Sequence, residues 1–205
     1  MDEDQIEEIE LGIKNGVDVT IYAKKEFDWD QMREIREGLE EGLAVTIYAK
    51  KGFNGDQMYQ VRQGLKKRLD VSFYANSEFD WAQMQEIRNG LERGLDITAY
   101  AKKEFSYGQM SEIREGLDEG VDVTIYAKKE FDCVQMRQIR RGLENGLDVS
   151  IYAKPEFDWL QMFEIREGLC DGIDVSIYAK PDICSTSMYD IRRRLLREKK
   201  WTNNK

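Results

Sequence analysis

A 26-residue period constrains this chain more than any other property of its sequence. Tyr-Ala pairs begin at Tyr22, Tyr48, Tyr74, Tyr100, Tyr126, Tyr152 and Tyr178, and Gln-Met pairs begin at Gln31, Gln57, Gln83, Gln109, Gln135 and Gln161, always 26 apart. Self-similarity at a fixed period of this size marks an array in which each unit buries its apolar face on its neighbours. No insertion interrupts the step, so the expected organisation is one repeat domain over 1–205. It comprises an acidic N-terminal capping repeat (1–26), six full repeats (27–182) and a basic C-terminal capping helix and tail (183–205).

Each unit opens with helix signals. Asp28 and its equivalents Asp2, Asn54, Asp80, Ser106, Asp132 and Asp158 are N-cap residues, and the Gln three positions on completes a capping box. Phe27 before the cap and Met32 after it form a hydrophobic staple. Met32, Ile35 and Leu39 share one helical stripe, and Gly42 suits the left-handed stop. Gly38 and its equivalents lie inside the helices, where a glycine costs about 1 kcal/mol relative to alanine. The wheel sets Gly38 opposite the flank carrying Arg36 and Trp29, so the glycines are expected to make room between stacked helices. Arg36, Arg62, Arg88, Arg114, Arg140 and Arg166 are expected to pair with Glu on the same or an adjacent helix.

After the helix, Leu43, Val45, Ile47 and Ala49 alternate with Ala44, Thr46, Tyr48 and Lys50, a period of two that reads as a half-buried strand. Helices alternating with strands imply parallel pairing through right-handed crossovers. The expected fold is therefore α/β: an open right-handed solenoid, or horseshoe, of 26-residue helix–strand repeats, with eight helices, seven strands and a parallel sheet on the concave face. Strands stack about 4.8 Å apart and packed helices about 8–10 Å apart, which would bend such a stack towards its sheet. This resembles the leucine-rich-repeat class of horseshoes in architecture, without that class's LxxLxLxxN signature. The unit is also similar to tandem repeats of uncharacterised bacterial and mobile-element proteins, a resemblance that supplies no function. The horseshoe resemblance implies protein binding through the concave sheet.

On that face the repeats would build columns. One is acidic: Asp18, Asp70, Asp96, Asp122, Asp148 and Asp174, broken by Ala44. One carries hydroxyls, among them Thr98 and Thr124. The seven tyrosines, Tyr22 to Tyr178, form a third, and a lysine column follows. Tyrosine gives large contact area at little rotamer cost, so the Tyr, Asp and Thr columns are the expected partner-binding surface.

Composition narrows the chemistry. The chain of 205 residues has no His, which removes His-based triads, His general bases and His-ligated metals, and no cofactor or metal is expected. Cys133, Cys170 and Cys184 have no disulfide-scaffold spacing, no secretory signal is visible and no apolar run would span a membrane, so a cytoplasmic, reduced protein is expected. Lys+Arg 31 against Asp+Glu 40 gives a net charge of -9, which argues against direct nucleic-acid binding and against anionic membranes. The sequence thus points to a non-enzymatic protein–protein binding module. The alternative is an acidic nucleic-acid mimic that inhibits a nuclease or another nucleic-acid-binding complex, of the anti-CRISPR-like, anti-defence type. An acidic first helix and a basic last one also allow self-association through opposite ends.

Overall fold

The computed structural model describes residues 1–203. Among them are eight α-helices and no strand: α1 (Glu3–Asn15), α2 (Trp29–Glu40), α3 (Gly55–Lys66), α4 (Trp81–Glu92), α5 (Tyr107–Asp118), α6 (Cys133–Glu144), α7 (Trp159–Cys170) and α8 (Ser185–Asn203). Between successive helices lies a three-residue 3-10 turn, Val19–Ile21, Val45–Ile47, Val71–Phe73, Ile97–Ala99, Val123–Ile125, Val149–Ile151 and Val175–Ile177. The α/β horseshoe is therefore overturned. Over the described residues the 26-residue array is all-helical, with no sheet whose concave face could display columns.

Local chemistry explains why the alternating segment is a turn. Asp70 accepts from the backbone N–H and the hydroxyl of Ser72, at 3.1 and 2.6 Å, and Asp96, Asp122 and Asp148 do the same for Thr98, Thr124 and Ser150. Such side-chain-to-backbone bonds compete directly with a sheet ladder. Once the turn closes, buried positions recur every three residues: Val71 and Tyr74 face inward while Ser72 and Phe73 are exposed. The alternation in Val45, Ile47 and Ala49 is thus a short-range coincidence over one turn.

The helix boundaries follow the sequence signals. Asp28 accepts from the Gln31 backbone N–H at 2.8 Å while the Gln31 side chain accepts from the Asp28 N–H, and the staple partners Phe27 and Met32 are both buried. At the C-terminus Gly42 has φ 69°, and the N–H of Leu43 reaches back to the Gly38 carbonyl. Arg68 occupies the same left-handed position in the third unit at φ 59°, without a glycine's freedom.

Contacts group the chain into two compact units, Met1–Tyr107 and Gly108–Lys205. In the first, α1 packs on α2, α2 on α3 and α3 on α4; in the second, α6 packs on α7 and α7 on α8. Three side chains per repeat hold the register. The capping glutamine donates forward to a backbone carbonyl 22 residues on (Gln31 to Phe53, Gln135 to Phe157, Gln161 to Ile183) at 2.5–2.8 Å. The helix arginine donates backward: Arg36 Nε to Glu8, Arg62 to Glu34, Arg140 to Glu112 and Arg192 to Glu164, at 2.7–3.0 Å. Where the acid is replaced by Gln60 or Gln138, Arg88 and Arg166 bond the amide oxygen instead.

The third device is the tyrosine. Each of the seven has 0% exposure, and its hydroxyl donates to a helix carbonyl 14 residues earlier, Tyr48 to Glu34 and Tyr126 to Glu112 among them, at 3.0–3.2 Å. The glycine inside each helix makes room for this hydroxyl: a Cβ on Gly38 would overlap Tyr48, and one on Gly116 would overlap Tyr126. The glycines therefore admit a tyrosine from their own repeat, and spacing against a neighbouring helix is not their role.

Candidate functional site

The structure removes the tyrosines from the surface. Tyr22, Tyr48, Tyr74, Tyr100, Tyr126, Tyr152 and Tyr178 are core, and burial drives the hydroxyl pKa of Tyr22, Tyr48, Tyr74, Tyr126, Tyr152 and Tyr178 up, to about 12 for Tyr22. Asp70, Asp96, Asp122, Asp148 and Asp174 are exposed, but each is turned onto the Ser or Thr two residues on, and that hydroxyl's hydrogen bond lowers each carboxyl's pKa. Thr98 and Thr124 spend their hydroxyls in the same turns. The proposed columns thus resolve into a buried row and a row of self-satisfied caps.

The surface features without such internal duty lie at the other end of the repeat, on the first turns of the helices. The first residue of the helix is Trp29 in α2, Trp81 in α4, Tyr107 in α5 and Trp159 in α7, with 42, 46, 60 and 42% exposure. A ring beside the N-cap contributes nothing to helix initiation, because capping box and staple are already complete at Asp28–Met32 and Asp80–Met84. Cys133 interrupts the row in α6, and Gly55 in α3, where the Asp30 carboxylate takes the space a side chain would need.

Beside these rings the surface opens into grooves at one recurring position. In the first unit, Asp4, Glu7 and Glu8 line a groove with Trp29, and Trp81, Ala82, Gln85 and Glu86 line another with Tyr107. In the second unit, Leu160 and Glu164 of α7 line a third with Ser185, Thr186 and Tyr189 of α8. Residues Asp4, Ala82 and Leu160 are equivalent in the repeat, as are Glu8, Glu86 and Glu164, each 78 residues apart, or three repeats. The backbone scaffold of the groove is repeated while its lining changes from acidic, to aromatic, to mixed apolar and hydroxyl. No sequence rule singled out these residues, because a groove needs one helix and the start of the next side by side. The available signal was the aromatic that follows the N-cap.

Trp29 and, four residues further into their helices, Tyr59, Phe163 and Tyr189 carry an arginine. The Arg33 guanidinium lies over Trp29 at 5.1 Å, Arg62 over Tyr59 at 5.7 Å, Arg166 over Phe163 at 5.4 Å, and Arg192 and Arg193 over Tyr189 at 5.9 and 5.5 Å. The three cysteines are free thiols, and no helix among the described residues is long and apolar enough to cross a membrane. Comparison with protein-family models, curated proteins and solved structures finds no match, so the similarity to bacterial and mobile-element repeats has no family model behind it.

Proposed function

We propose that this chain is a non-enzymatic binding protein that holds a protein partner across the first turns of its helices. The observation that carries the reading is the groove recurring at one repeat position with an exposed ring and a changing lining. A repeated scaffold with variable side chains is what side-by-side recognition of a partner's residues requires, and exposed Trp and Tyr are the residue types enriched in binding hot spots. The nucleic-acid mimic is the weaker reading, because Glu8, Glu34, Glu112 and Glu164 are engaged by Arg36, Arg62, Arg140 and Arg192 and are not free to meet a basic groove. Free thiols suit a reducing cytoplasm.

The test compares partner capture by the native chain, by Trp81→Ala/Tyr107→Ala, and by Asp96→Ala/Asp122→Ala. The groove variant is expected to lose the partner, by tenfold or more in affinity for a hot-spot pair. The aspartate variant is expected to keep it. Equal capture by both variants, with helicity unchanged, would discard the helix face as the working surface.

A further inference from the structure

The two terminal helices break the array's pattern, and they break it towards opposite charge. At one position α2 to α8 all carry arginine, from Arg36 to Arg192, and α1 carries Glu10 instead. These arginines reach back to the preceding helix, Arg36 to Glu8 and Arg62 to Glu34, so Glu10 stands on the face of α1 turned away from α2. At a second position α1 to α7 all carry the glycine that seats a tyrosine, from Gly12 to Gly168, and α8 carries Arg194. Arg194 meets Glu198 of its own helix at 3.8 Å, with both side chains exposed. As a whole α1 has five acids and one lysine, whereas α8 has six arginines and lysines and two acids.

Both ends also open apolar positions that the array elsewhere shuts. Ile6 is 47% exposed, whereas the methionines at that position in α2 to α8 are all at 0%. Ile13 is exposed as well, and with spacings of three or four residues Glu3, Ile6, Glu10 and Ile13 share one stripe. In α8, Ile191 is partly exposed where Ile35, Ile87 and Ile139 are fully buried, and it lines a groove with Asp190, Arg194 and Arg197.

We propose that the α1 face bearing Ile6 and Glu10 docks on the α8 groove formed by Ile191, Arg194 and Arg197 in a second copy of this chain. Charge complementarity selects the occupant. An internal helix would bring arginine to the Glu10 position and meet Arg194 and Arg197 with like charge, whereas α1 brings the acid. Asp190 is the one acid of that groove and is outnumbered there. Neither Glu10 nor Arg194 lines the grooves beside the exposed rings, so the contact is independent of the helix-face reading above.

The test is sedimentation of the full chain over a range of concentrations. At about 10 mM salt, where charges act over about 30 Å, the mean mass is expected to rise with concentration past that of a dimer, because a head-to-tail contact leaves a free end on each open assembly. At about 150 mM salt that range falls to about 8 Å, and association should weaken about tenfold. Glu3→Arg/Glu10→Arg and Arg194→Glu/Arg197→Glu should each abolish association, with helicity by circular dichroism unchanged. An equal mixture of the two variants should restore it, since each reversed end then meets its complement. A chain that stays monomeric at every concentration in low salt would overturn the proposal. So would assembly that either reversal leaves intact, or a mixture that stays monomeric. A monomer whose α8 bound heparin through Arg194 and Arg197 would overturn it too, giving that face to a polyanion.

Discussion

The turns that follow α1 to α7 and the grooves beside the first turns of α2, α5 and α8 are built from one repeat, and they differ in how much each varies. Every turn closes on the same buried tyrosine, hydrogen-bonded to the helix before it and seated on the same glycine. The groove keeps its position but exchanges Asp4 for Ala82 and Leu160, and Trp29 for Tyr107 and Ser185. Constancy within one chain marks what every unit needs in order to pack. Variation at a fixed place marks what each unit presents to its surroundings. Seven identical residues therefore signalled the core, although taken as sequence they looked like a display.

That contrast can be broken most severely by alkali. Burial raises the pKa of Tyr22, Tyr48, Tyr74, Tyr126, Tyr152 and Tyr178 above the usual 10. A raised folded-state pKa means stability is fully present below pH 10 and is lost as pH climbs towards and through the folded values, because the unfolded chain ionises first. Circular dichroism against pH should show cooperative unfolding above about pH 10, with tyrosinate absorbance rising in the same transition. Ionisation of all ten tyrosines near pH 10 with helicity intact would mean the row is not core.

Single substitutions should separate the two regions. Tyr126→Ala is expected to cost about 3–5 kcal/mol by urea unfolding, as for other large core truncations. Trp81→Ala should stay near 0.5 kcal/mol, the range of surface changes. Comparable losses would erase the distinction between packing row and presented groove. Gly116→Ala comes next, at about 1–3 kcal/mol for overpacking against the Tyr126 hydroxyl. Adding Tyr126→Phe should return part of that loss, and strictly additive effects would show that the hydroxyl is not what the glycine accommodates.

The smallest effects come from units that depart from the common pattern. Arg68→Gly should raise stability by about 1 kcal/mol, since a left-handed conformation costs a side-chain-bearing residue that much. Ala44→Asp should add about 0.5–1 kcal/mol by giving the second turn the cap that its equivalents have. A loss in either case, read as a shift in the urea midpoint, would show that the unit has been tuned for something other than packing.

The starts of the helices were legible in the sequence and their stops nearly so, because caps, staples and left-handed stops act over four or five neighbours. The pairing of Arg62 and Arg140 with acids one helix back was legible for the same reason that the period was. The turns were misread because an alternation of four residues cannot distinguish a strand from a single 3-10 turn. The Asp-x-Thr cap that decides the matter was read as a surface charge with a hydroxyl neighbour. The tyrosine's burial depends on Gly116 lying ten residues before Tyr126, a coupling visible in the repeat but without meaning until the chain folds back.

The forward-reaching glutamine and the backward-reaching arginine also limit how a chain of this kind can change. Gln31 closes its own cap and grips the carbonyl of Phe53 with one amide, while Arg62 grips Glu34 across 28 residues. One residue gained or lost between them would slide both grips off their targets together, whereas a whole unit added or removed leaves every grip intact. Such a chain is editable only in units of 26, with point substitution left free to rewrite the grooves.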